Sequence, residues 1–497
     1  MEVLVTGGTG VVGASAVSTL LKHGHTVRLL SRHAERDGRE WSDGVTPIVG
    51  DVSDVASITG AADGCDAVVH LVAIVEETPP SATFDRVNVE GTRHVVTEAE
   101  RAGVRKLVYV SSLGCDGGQS PYHRSKLAGE TIVREFNGDW VILRPGAVYG
   151  PGDEHFSVLL KMVRTLPVIP IIGDGAQRIQ PIWHEDFAEV IARAVERDDV
   201  NGGVYDIAGT EVTTQRDLVD RVRRLTARET VNVPVPEFLA HAGIKVAELS
   251  GVDIGLNQSQ LQMLVEGNAL PPGSNNALTR VFGISPTPLD EGLRSLADAQ
   301  PEQLPNHGVG PLTRKRFWAD IRGCRFDADR LLDHVRLNFA TLAPAVMSAG
   351  AEPGTPTDIE EGATLTLDLP LRGHVQVRVA EVDERRFTML TLEGHPLAGA
   401  VRMQTEPRGE DAVRFEIQIY DRAGSIPDFL IMRTLGGMLQ DRAWTELVEN
   451  VVRTAGGRET EVQHSTETLS ESEADVVHRW AEELVIMRKQ QQHDANV

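Results

Sequence analysis

The segment Ser111–Lys126 contains the residue types of this chain that best suit acid–base chemistry. Tyr122 and Lys126 stand four positions apart, so a helix through this segment would place both side chains on one face. A nearby ammonium group favours the phenolate of a tyrosine, whose ordinary pKa is about 10, and makes it usable as an acid or base near neutral pH. We expect this pair to support hydride transfer if a nicotinamide lies beside it. The alternative is a chance pairing on a helix surface.

Ser112 is expected to join this pair. It closely follows the apolar run Lys106–Val110, whose pattern is typical of a buried strand. Open α/β sheets bind ligands at the carboxyl ends of their strands, so the Ser112 hydroxyl should lie where a ligand binds. The sequence therefore predicts that Ser112, Tyr122 and Lys126 meet in one crevice.

The composition predicts a globular protein of two or three domains that does not bind nucleic acid. Its 497 residues are 41% hydrophobic, and 49 Lys and Arg against 72 Asp and Glu give a net charge of −23, which disfavours DNA, RNA or an anionic membrane as partner. Cys65, Cys115 and Cys324 are odd in number and widely spaced, so neither disulfides nor zinc are expected. Because there is no basic and apolar leader and no apolar run near the ~20 residues of a membrane helix, a cytoplasmic protein is expected.

The chain begins with a pattern typical of dinucleotide binding. The apolar strand Val3–Val5 leads into Gly7, Gly10 and Gly13 and then into a helical pattern. These glycines would allow a tight turn, a close approach to a pyrophosphate and close packing of helix on strand, while the helix N-terminus favours the anion. The loop residues expected to contact the nucleotide are Gly7, Gly10, Val11, Val12 and Gly13.

The residues after the second predicted strand bear on the choice of nucleotide. An NAD enzyme usually offers a carboxylate to the ribose 2′-hydroxyl at this place, whereas this chain has Ser31 and Arg32. The forked donors and charge of arginine suit a 2′-phosphate, so NADP is predicted over NAD, with NAD still possible. The alternative is an exposed arginine without a role.

Alternating strands and helices predict a doubly wound parallel α/β sheet. Val45–Val49 reads as the third strand and Ala67–Val72 as the fourth. Asp51, after the third, could accept a hydrogen bond from adenine or could cap a helix, and both possibilities stay open. The further residues expected at the nucleotide are Val52, Leu71, Val72 and Ala73.

Together these motifs resemble the extended and atypical members of the short-chain dehydrogenase/reductase superfamily, over roughly residues 1–300. The carriers are TGGTGVVG, the pair Asp51 and Val52, Asn88, Ser112, Tyr122 with Lys126, and LRPGAVYGPGD from Leu143. The resemblance implies that Tyr122 is the general acid or base, that Lys126 holds the nicotinamide ribose, that Ser112 binds the substrate oxygen and that Asn88 supports a proton-relay water. It also implies that the nicotinamide is lined by Pro145, Gly146, Ala147 and Val148.

Later stretches narrow this likeness. The segments from Pro167 to Ile191 and from Tyr205 to Gly209 resemble the NAD(P)H-binding accessory subunit of respiratory complex I and its bacterial relatives. Three functions are therefore weighed. They are an NADP-dependent oxidoreductase acting on a carbonyl or hydroxyl of a hydrophobic small molecule, a non-catalytic nucleotide-binding assembly or scaffold protein with a protein-complex partner, and a nucleotide-sugar epimerase or dehydratase.

Three consecutive residues, His184, Glu185 and Asp186, could suggest a metal cluster. Neighbouring side chains at a helix start splay apart, so capping is the preferred interpretation and no metal is predicted. His23 and His25, on either side of a glycine, are expected to be inert surface residues.

A second domain is predicted beyond a proline-rich linker, residues 301–312. Residues 313–457 contain runs that alternate with period two, such as Leu365–Leu369 and Val413–Ile419, followed by a helix over Phe429–Thr454. This order, with the stretch EGHPLAGAVRM from Glu393, resembles the START-like helix-grip superfamily, an α+β fold whose antiparallel sheet grips a helix. The resemblance implies an apolar ligand cavity, and a core packed without a cavity is the alternative left open.

The remaining segment, residues 458–497, is polar and acidic. One amphipathic patch contains Val476, Trp480, Leu484 and Ile486. It is expected either to dock on another surface as a short helix or to stay partly disordered.

Overall fold

A computed structural model describes residues 1–41, 43–153, 155–241, 268–344, 346–369, 372–409, 411–425, 428, 437–457 and 461–496. We refer to residues 1–300 as the N-terminal unit and to residues 301–496 as the C-terminal unit. Each contains its own sheet and its own apolar cores.

The described part of the N-terminal unit is built on seven parallel strands in the order β11-β6-β5-β4-β1-β2-β3. The strands of this unit are β1 Glu2–Thr6, β2 Thr26–Ser31, β3 Val45–Val49, β4 Ala67–His70, β5 Lys106–Val110, β6 Asp139–Pro145, β7 Val148–Tyr149, β8 Val168–Ile172, β9 Arg178–Ile179, β10 Ile182–Trp183, β11 Gly203–Ile207, β12 Thr213–Thr214 and β13 Val231–Val235. The predicted doubly wound α/β sheet is confirmed. The other six strands of the N-terminal unit lie outside the main sheet and form three small pairs, β7 with β10, β9 with β12 and β8 with β13.

Helices cover both faces of this sheet because its strands are apolar on both sides. The helices are α1 Val11–Lys22, α2 Ala34–Asp37, α3 Val55–Ile58, α4 Gly91–Arg101, α5 Pro121–Val133, α6 Phe156–Thr165, α7 His184–Glu196, α8 Gln215–Thr226, α9 Ala277–Arg280 and α10 Leu289–Asp298. One core joins α1 and α7 to the sheet, and a second lies under α4 and α5. A third, around Phe156 and Leu218, packs α6, α8 and α10 together beyond the carboxyl ends of the strands.

The described part of the C-terminal unit is built on one antiparallel sheet of eight strands, in the order β15-β16-β17-β18-β19-β20-β14-β21. Its elements are β14 Val309–Arg322, α11 Ala328–Leu337, α12 Phe339–Leu342, β15 Ser348–Ala349, β16 Thr364–Leu369, β17 Gly373–Asp383, β18 Arg386–Thr391, β19 Leu397–Pro407, β20 Ala412–Ala423, α13 Gly437–Thr454, β21 Gln463–Thr468 and α14 Glu471–Asn496. The predicted α+β arrangement with an antiparallel sheet is confirmed.

Helix α13 packs on one face of this sheet. Trp444, Leu447 and Val451 belong to one continuous core with Phe317 and Phe415 of the strands, which favours the packed-core alternative in the described part of this unit. The START-like relationship and its apolar ligand stay predictions. Residues 429–436, the predicted beginning of this helix, lie outside the described residues.

Two segments differ in detail from their prediction. The proposed linker contacts the second sheet and its last residues belong to it, because the Gln303 amide donates to the Thr391 carbonyl at 2.7 Å and β14 begins at Val309. The acidic tail contributes strand β21, and α14 docks on the other face of the sheet through Leu484. Val476, predicted in the docking patch, is 57% exposed, since the helix turns that residue toward solvent.

Candidate functional site

A cleft of about 1110 Å³ opens at the carboxyl ends of the parallel strands. It has a nucleotide half, which contains the glycine loop and the strand ends, and an apolar half, which lies under α6, α8 and β13. The predicted cofactor residues that line this cleft are Gly7, Gly10, Val11, Val12, Gly13, Ser31, Arg32, Asp51, Val52, Leu71, Val72, Ala73, Lys126, Pro145, Gly146, Ala147 and Val148. Ser112 and Tyr122 line it as well, so the structure brings the predicted site together.

The glycine loop has the geometry that a closely bound nucleotide requires. Gly7 has φ +77°, and a Cβ there would lie 2.9 Å from the Val72 amide nitrogen. A Cβ on Gly13 would lie 2.1 Å from the Gly7 carbonyl oxygen, so helix and loop meet through backbone alone. A Cβ on Gly10 would meet nothing closer than 3.9 Å, because that position faces the open cleft. The loop therefore fits a dinucleotide, whose pyrophosphate would lie against Gly10 and the N-terminus of α1.

The end of β2 presents an exposed cation to the cleft. Arg32 is exposed, and its guanidinium makes no hydrogen bond or ion pair with a residue that the structure describes. The Ser31 hydroxyl donates to Asp37 at 2.5 Å, and Arg36 pairs with the same carboxylate at 3.0 Å. Arg32 is thus available to an anion, whereas Arg36 is already paired.

Asp51 closes a local turn at the end of β3. One carboxylate oxygen accepts the Ser53 amide at 2.8 Å, and the Ser57 hydroxyl donates to the carbonyl oxygen of Asp51 at 3.1 Å. The side chain therefore combines a local turn role with a place on the cleft wall.

Tyr122 lies in the first turn of α5. The helix begins there because the Ser120 hydroxyl accepts the His123 amide at 3.1 Å and Pro121 occupies the first position. Burial raises the pKa of Tyr122 to about 12, against the lowering effect of its hydrogen bond with Ser112. The phenol is therefore protonated at neutral pH, so it can act as a proton donor.

Ser112 is held in place by the backbone on both sides. The Ser111 amide donates to the Leu143 carbonyl at 2.7 Å, and the Leu113 amide donates to the Pro145 carbonyl at 2.8 Å. These bonds extend the pairing of β5 with β6 past the strand end. They fix the Ser112 hydroxyl next to the phenol of Tyr122.

Lys126 is buried, at 1% exposure, with its ammonium group 4.4 Å from the centre of the Tyr109 ring. Burial lowers the pKa of Lys126 to about 7, while Cys115 and Glu130 oppose this shift. The sequence led us to expect that Lys126 would lower the pKa of Tyr122. In the structure the Tyr122 pKa is governed by burial and by Ser112 instead.

Asn88 is predicted to support a proton-relay water, and in the structure its side chain connects the Ile74 backbone to helix α5. It lies in a π-helical turn, Asp85–Glu90, a feature often found at functional sites. Its amide exchanges two hydrogen bonds with Ile74, at 2.8 and 3.0 Å, and donates to Ser125 at 3.0 Å. Ser125 in turn donates to the Tyr122 carbonyl at 2.7 Å, so Asn88 links the end of β4 to the first turn of α5.

A buried ion pair under the serines was missed by sequence reasoning. Arg144 donates to both carboxylate oxygens of Glu130 at 2.7 and 2.8 Å, and the Ser111 hydroxyl donates at 2.7 Å. Burial raises the pKa of Glu130, but these hydrogen bonds outweigh it and bring the pKa to about 2. Glu130 lies four residues after Lys126 on the same helix, which was the available signal.

The apolar half of the cleft contains no cation among the lining residues that the structure describes. Its wall is made largely of aliphatic and aromatic side chains, and the cations of the whole described lining, Arg32 and Lys126, lie at the nucleotide half. The principal apolar residues are Phe156, Leu159, Met162, Ile169, Ile172, Ile179, Leu218, Val235 and Leu239. This half suits an uncharged, apolar ligand.

The histidines treated as inert or capping have specific partners. His23 contacts Glu196 at 2.9 Å and Glu189 at 3.1 Å, so it joins the end of α1 to α7 and is not inert. His184 approaches the Ser15 hydroxyl at 2.5 Å, whereas Asp186 accepts from Thr287 at 2.7 Å, so their side chains diverge. Across the described ranges no group of His, Cys, Asp and Glu has a metal-binding arrangement.

The parallel sheet, the glycine loop and the cluster of Ser112, Tyr122 and Lys126 are similar to those of NAD(P)-binding proteins of the extended short-chain dehydrogenase/reductase class. Residues 3–208 match the model of the NAD dependent epimerase/dehydratase family.

Curated relatives cover the same region. A ceramide reductase of Caulobacter vibrioides is 33% identical over 37% of this chain and 58% of its own length. The mitochondrial NADH dehydrogenase (ubiquinone) 1 alpha subcomplex subunit 9 of Dictyostelium discoideum is 27% identical over 46% of this chain and 66% of its own. The chain thus spans less than two thirds of each of these two relatives.

A solved structure of an NADPH-dependent quinone oxidoreductase of Escherichia coli superposes with a TM-score of 0.49 at 20% identity. It covers 59% of this chain and 99% of that one. Within the described part of this chain, no helix has both the length and the apolar character that crossing a bilayer requires.

Proposed function

We propose that this protein is an NADPH-dependent reductase that converts a carbonyl group of an apolar small molecule into a hydroxyl. The observation that carries the proposal is the shared cleft, which Ser112 and Tyr122 line together with residues of the nucleotide half and of the apolar half. A bound nicotinamide would supply the hydride. The chain's own residues would then supply the proton, the orientation and the apolar surroundings.

In the proposed reaction Tyr122 is the general acid. Its phenol donates a proton to the carbonyl oxygen of the substrate. The Ser112 hydroxyl, which is hydrogen-bonded to the Tyr122 phenol, orients the same carbonyl oxygen. With its pKa raised to about 12 by burial, the phenol is protonated at neutral pH, which is the form that a proton donor to a carbonyl requires. Lys126 would hold the nicotinamide ribose, and Asn88 would fix the turn that carries Tyr122.

The charge distribution supports an apolar substrate over a nucleotide sugar. A diphosphate in the apolar half would need cations or several donors, whereas its described wall is largely aliphatic, with His155, Gln215 and Asn268 as its uncharged polar side chains. The names of two relatives, a ceramide reductase and a 3 beta-hydroxysteroid dehydrogenase of Mycobacterium tuberculosis, support the same substrate class. An epimerase or dehydratase is therefore the weaker alternative.

The nucleotide is proposed to be NADPH. Arg32 extends from the end of β2 into the cleft without a described partner, where the ribose 2′-phosphate would lie. A guanidinium donates to a phosphate through two parallel hydrogen bonds, which the 2′-hydroxyl of NADH could not use in the same way.

A non-catalytic assembly role is the second candidate. It is supported by the relatives named as NADH dehydrogenase subunits in Dictyostelium discoideum and Arabidopsis thaliana, at 27% and 26% identity. Such a protein would bind NADPH tightly and reduce nothing, and its cleft would serve to stabilise the fold.

The test combines binding with turnover. NADPH affinity is measured by fluorescence, and NADPH oxidation is followed over a panel of apolar ketones and aldehydes. The Tyr122→Phe variant should bind NADPH as tightly as the wild type and lose roughly 10²- to 10⁴-fold in kcat. The matched control is Tyr205→Phe, since the Tyr205 hydroxyl donates to Val200 outside the cleft. Turnover unchanged in Tyr122→Phe would contradict the mechanism, and tight binding without any turnover would favour the assembly role.

A further inference from the structure

Helix α6 forms one wall of the apolar half of the cleft. Phe156, Leu159 and Met162 follow at intervals of three and all line the cavity. The start of the helix is fixed, because the Asp153 carboxylate accepts the amides of His155 at 2.8 Å and Phe156 at 2.5 Å. The position of α6 therefore sets the width of this half.

The other end of α6 is fixed by a buried arginine. Arg164 donates from Nε and Nη2 to the two carboxylate oxygens of Glu352 at 2.8 and 2.7 Å, and from Nη1 to Gln376 at 2.7 Å. Arg164 and Glu352 are only 4% and 5% exposed. Glu352 and Gln376 belong to the C-terminal unit, so the Arg164 side chain connects the N-terminal unit to the C-terminal unit. A buried pair of this kind resists separation, because Arg164 without Glu352 would be a buried charge without a counter-ion.

Two turns of the second sheet also press against α6. Gly373 has φ +70°, and a Cβ there would lie 2.2 Å from the Arg164 carbonyl oxygen. Gly394 has φ +94°, and a Cβ there would lie 3.3 Å from Lys161. The second sheet therefore approaches α6 at Lys161 and at Arg164, beside the ion pair.

We propose that the C-terminal unit positions helix α6 and thereby determines which apolar substrates the cleft accepts. The inference rests on the proposed function, in which the apolar half receives the substrate. Arg164 does not line the cleft itself, so it is a positioning residue that acts through Phe156, Leu159 and Met162. An N-terminal unit without the C-terminal unit could bind nucleotide, but helix α6 in the wall of the apolar half would lack this support.

The kinetic test uses the full chain with Arg164→Met and Glu352→Gln. The control is Glu416→Gln, because Glu416 is a buried carboxylate of the same unit that pairs with Arg316 at 2.6 Å and has no contact with α6. The substrates are straight-chain carbonyls of increasing length with NADPH. We expect KM for the longer members to rise at least tenfold in the two interface variants. In these two variants, kcat for the shortest carbonyl substrate and Kd for NADPH should stay within threefold of wild type. In the Glu416→Gln control, KM, kcat and Kd should all stay within the same limit. The proposal would be overturned if KM rose by the same factor for every substrate chain length, or if KM did not change at all.

A second measurement does not depend on turnover. Hydrogen exchange of the full chain should be faster at residues 156–165 in both interface variants and unchanged at residues 121–133, because only α6 loses its support. If the wild type reduces no carbonyl, the proposed function fails while this measurement still tests the positioning of α6. Wild-type exchange at residues 156–165 in a folded variant would overturn the positioning role. Glu352→Gln provides that test if Arg164→Met does not fold.

Discussion

The two halves of the cleft are built in different ways. The nucleotide half consists largely of backbone at the ends of adjacent parallel strands, with glycines at Gly7, Gly10 and Gly13 where side chains would collide or block. The apolar half consists of side chains from α6, β8, β9, α8 and β13, which are far apart in the chain. One half is formed largely by backbone that a nucleotide of this type would contact, and the other is formed by the packing of side chains.

The two halves differ in how freely their residues can vary. Backbone geometry at the nucleotide half leaves little freedom to change, so its ligand class follows from the motif. The apolar wall can change one side chain at a time, and its shape further depends on α6 and on the ion pair of Arg164 with Glu352. Substitutions in the two halves should therefore affect different measurements.

The largest effect is expected at Gly13. In Gly13→Ala a Cβ would lie 2.1 Å from the Gly7 carbonyl oxygen and 2.5 Å from the Gly8 Cα, so the backbone must shift. We expect a loss of about 3 kcal/mol in the free energy of unfolding, by denaturant titration, together with loss of NADPH binding. Gly117→Ala is the control, because a Cβ there meets nothing within 4 Å. Equal stability of the two variants would show that the loop is not the rigid backbone motif described above.

The apolar half should respond in substrate affinity alone. Leu159→Asn places an amide in the apolar wall and should raise KM for an apolar substrate roughly 10- to 100-fold, since burying a leucine side chain contributes about 1.5–3 kcal/mol. NADPH affinity should not change. Leu166→Asn is the matched control, because Leu166 is 42% exposed just beyond the same helix and does not line the cleft. A parallel loss of NADPH affinity would mean that the two halves are not independent.

The same difference explains how much the sequence could predict. Tyr122 and Lys126, like the three glycines, were recognisable because their spacing within a few residues carries the chemistry. The strand succession of the N-terminal unit was readable because each buried strand is a short apolar run bounded by turns.

Contacts between distant segments could not be predicted in this way. Arg164 and Glu352 are 188 positions apart, and nothing in either neighbourhood identifies its partner. The effect of burial on Lys126 was equally hidden, because the pKa depends on the whole surrounding core rather than on the neighbouring tyrosine. The contacts of the predicted linker were hidden for a related reason, since its prolines do not reveal that Gln303 pairs with Thr391.

A smaller effect, on the order of tenfold, is expected at the nucleotide's 2′ position. Arg32→Ala should weaken NADPH binding about tenfold, because one charge-assisted contact to phosphate is lost, and should leave NADH binding unchanged. Arg36→Ala is the control, since that guanidinium already pairs with Asp37. Both affinities are measured by fluorescence titration. Equal losses for NADPH and NADH would place Arg32 away from the 2′-phosphate and would remove the basis for preferring NADPH.

The smallest expected effect is a proton taken up on nucleotide binding. Burial lowers the pKa of Lys126 to about 7 in the free protein, so at pH 8 most of the protein carries a neutral amine. An anionic nucleotide beside it favours the ammonium form and raises that pKa, so binding should take up a proton, and affinity should weaken severalfold as pH rises from 7 to 9. Calorimetry in buffers of different ionisation enthalpy measures the uptake, which should be about half a proton between pH 7 and 8 and vanish in Lys126→Met. Uptake that persists in Lys126→Met would assign the proton to another group and would leave Lys126 as a neutral donor to the ribose.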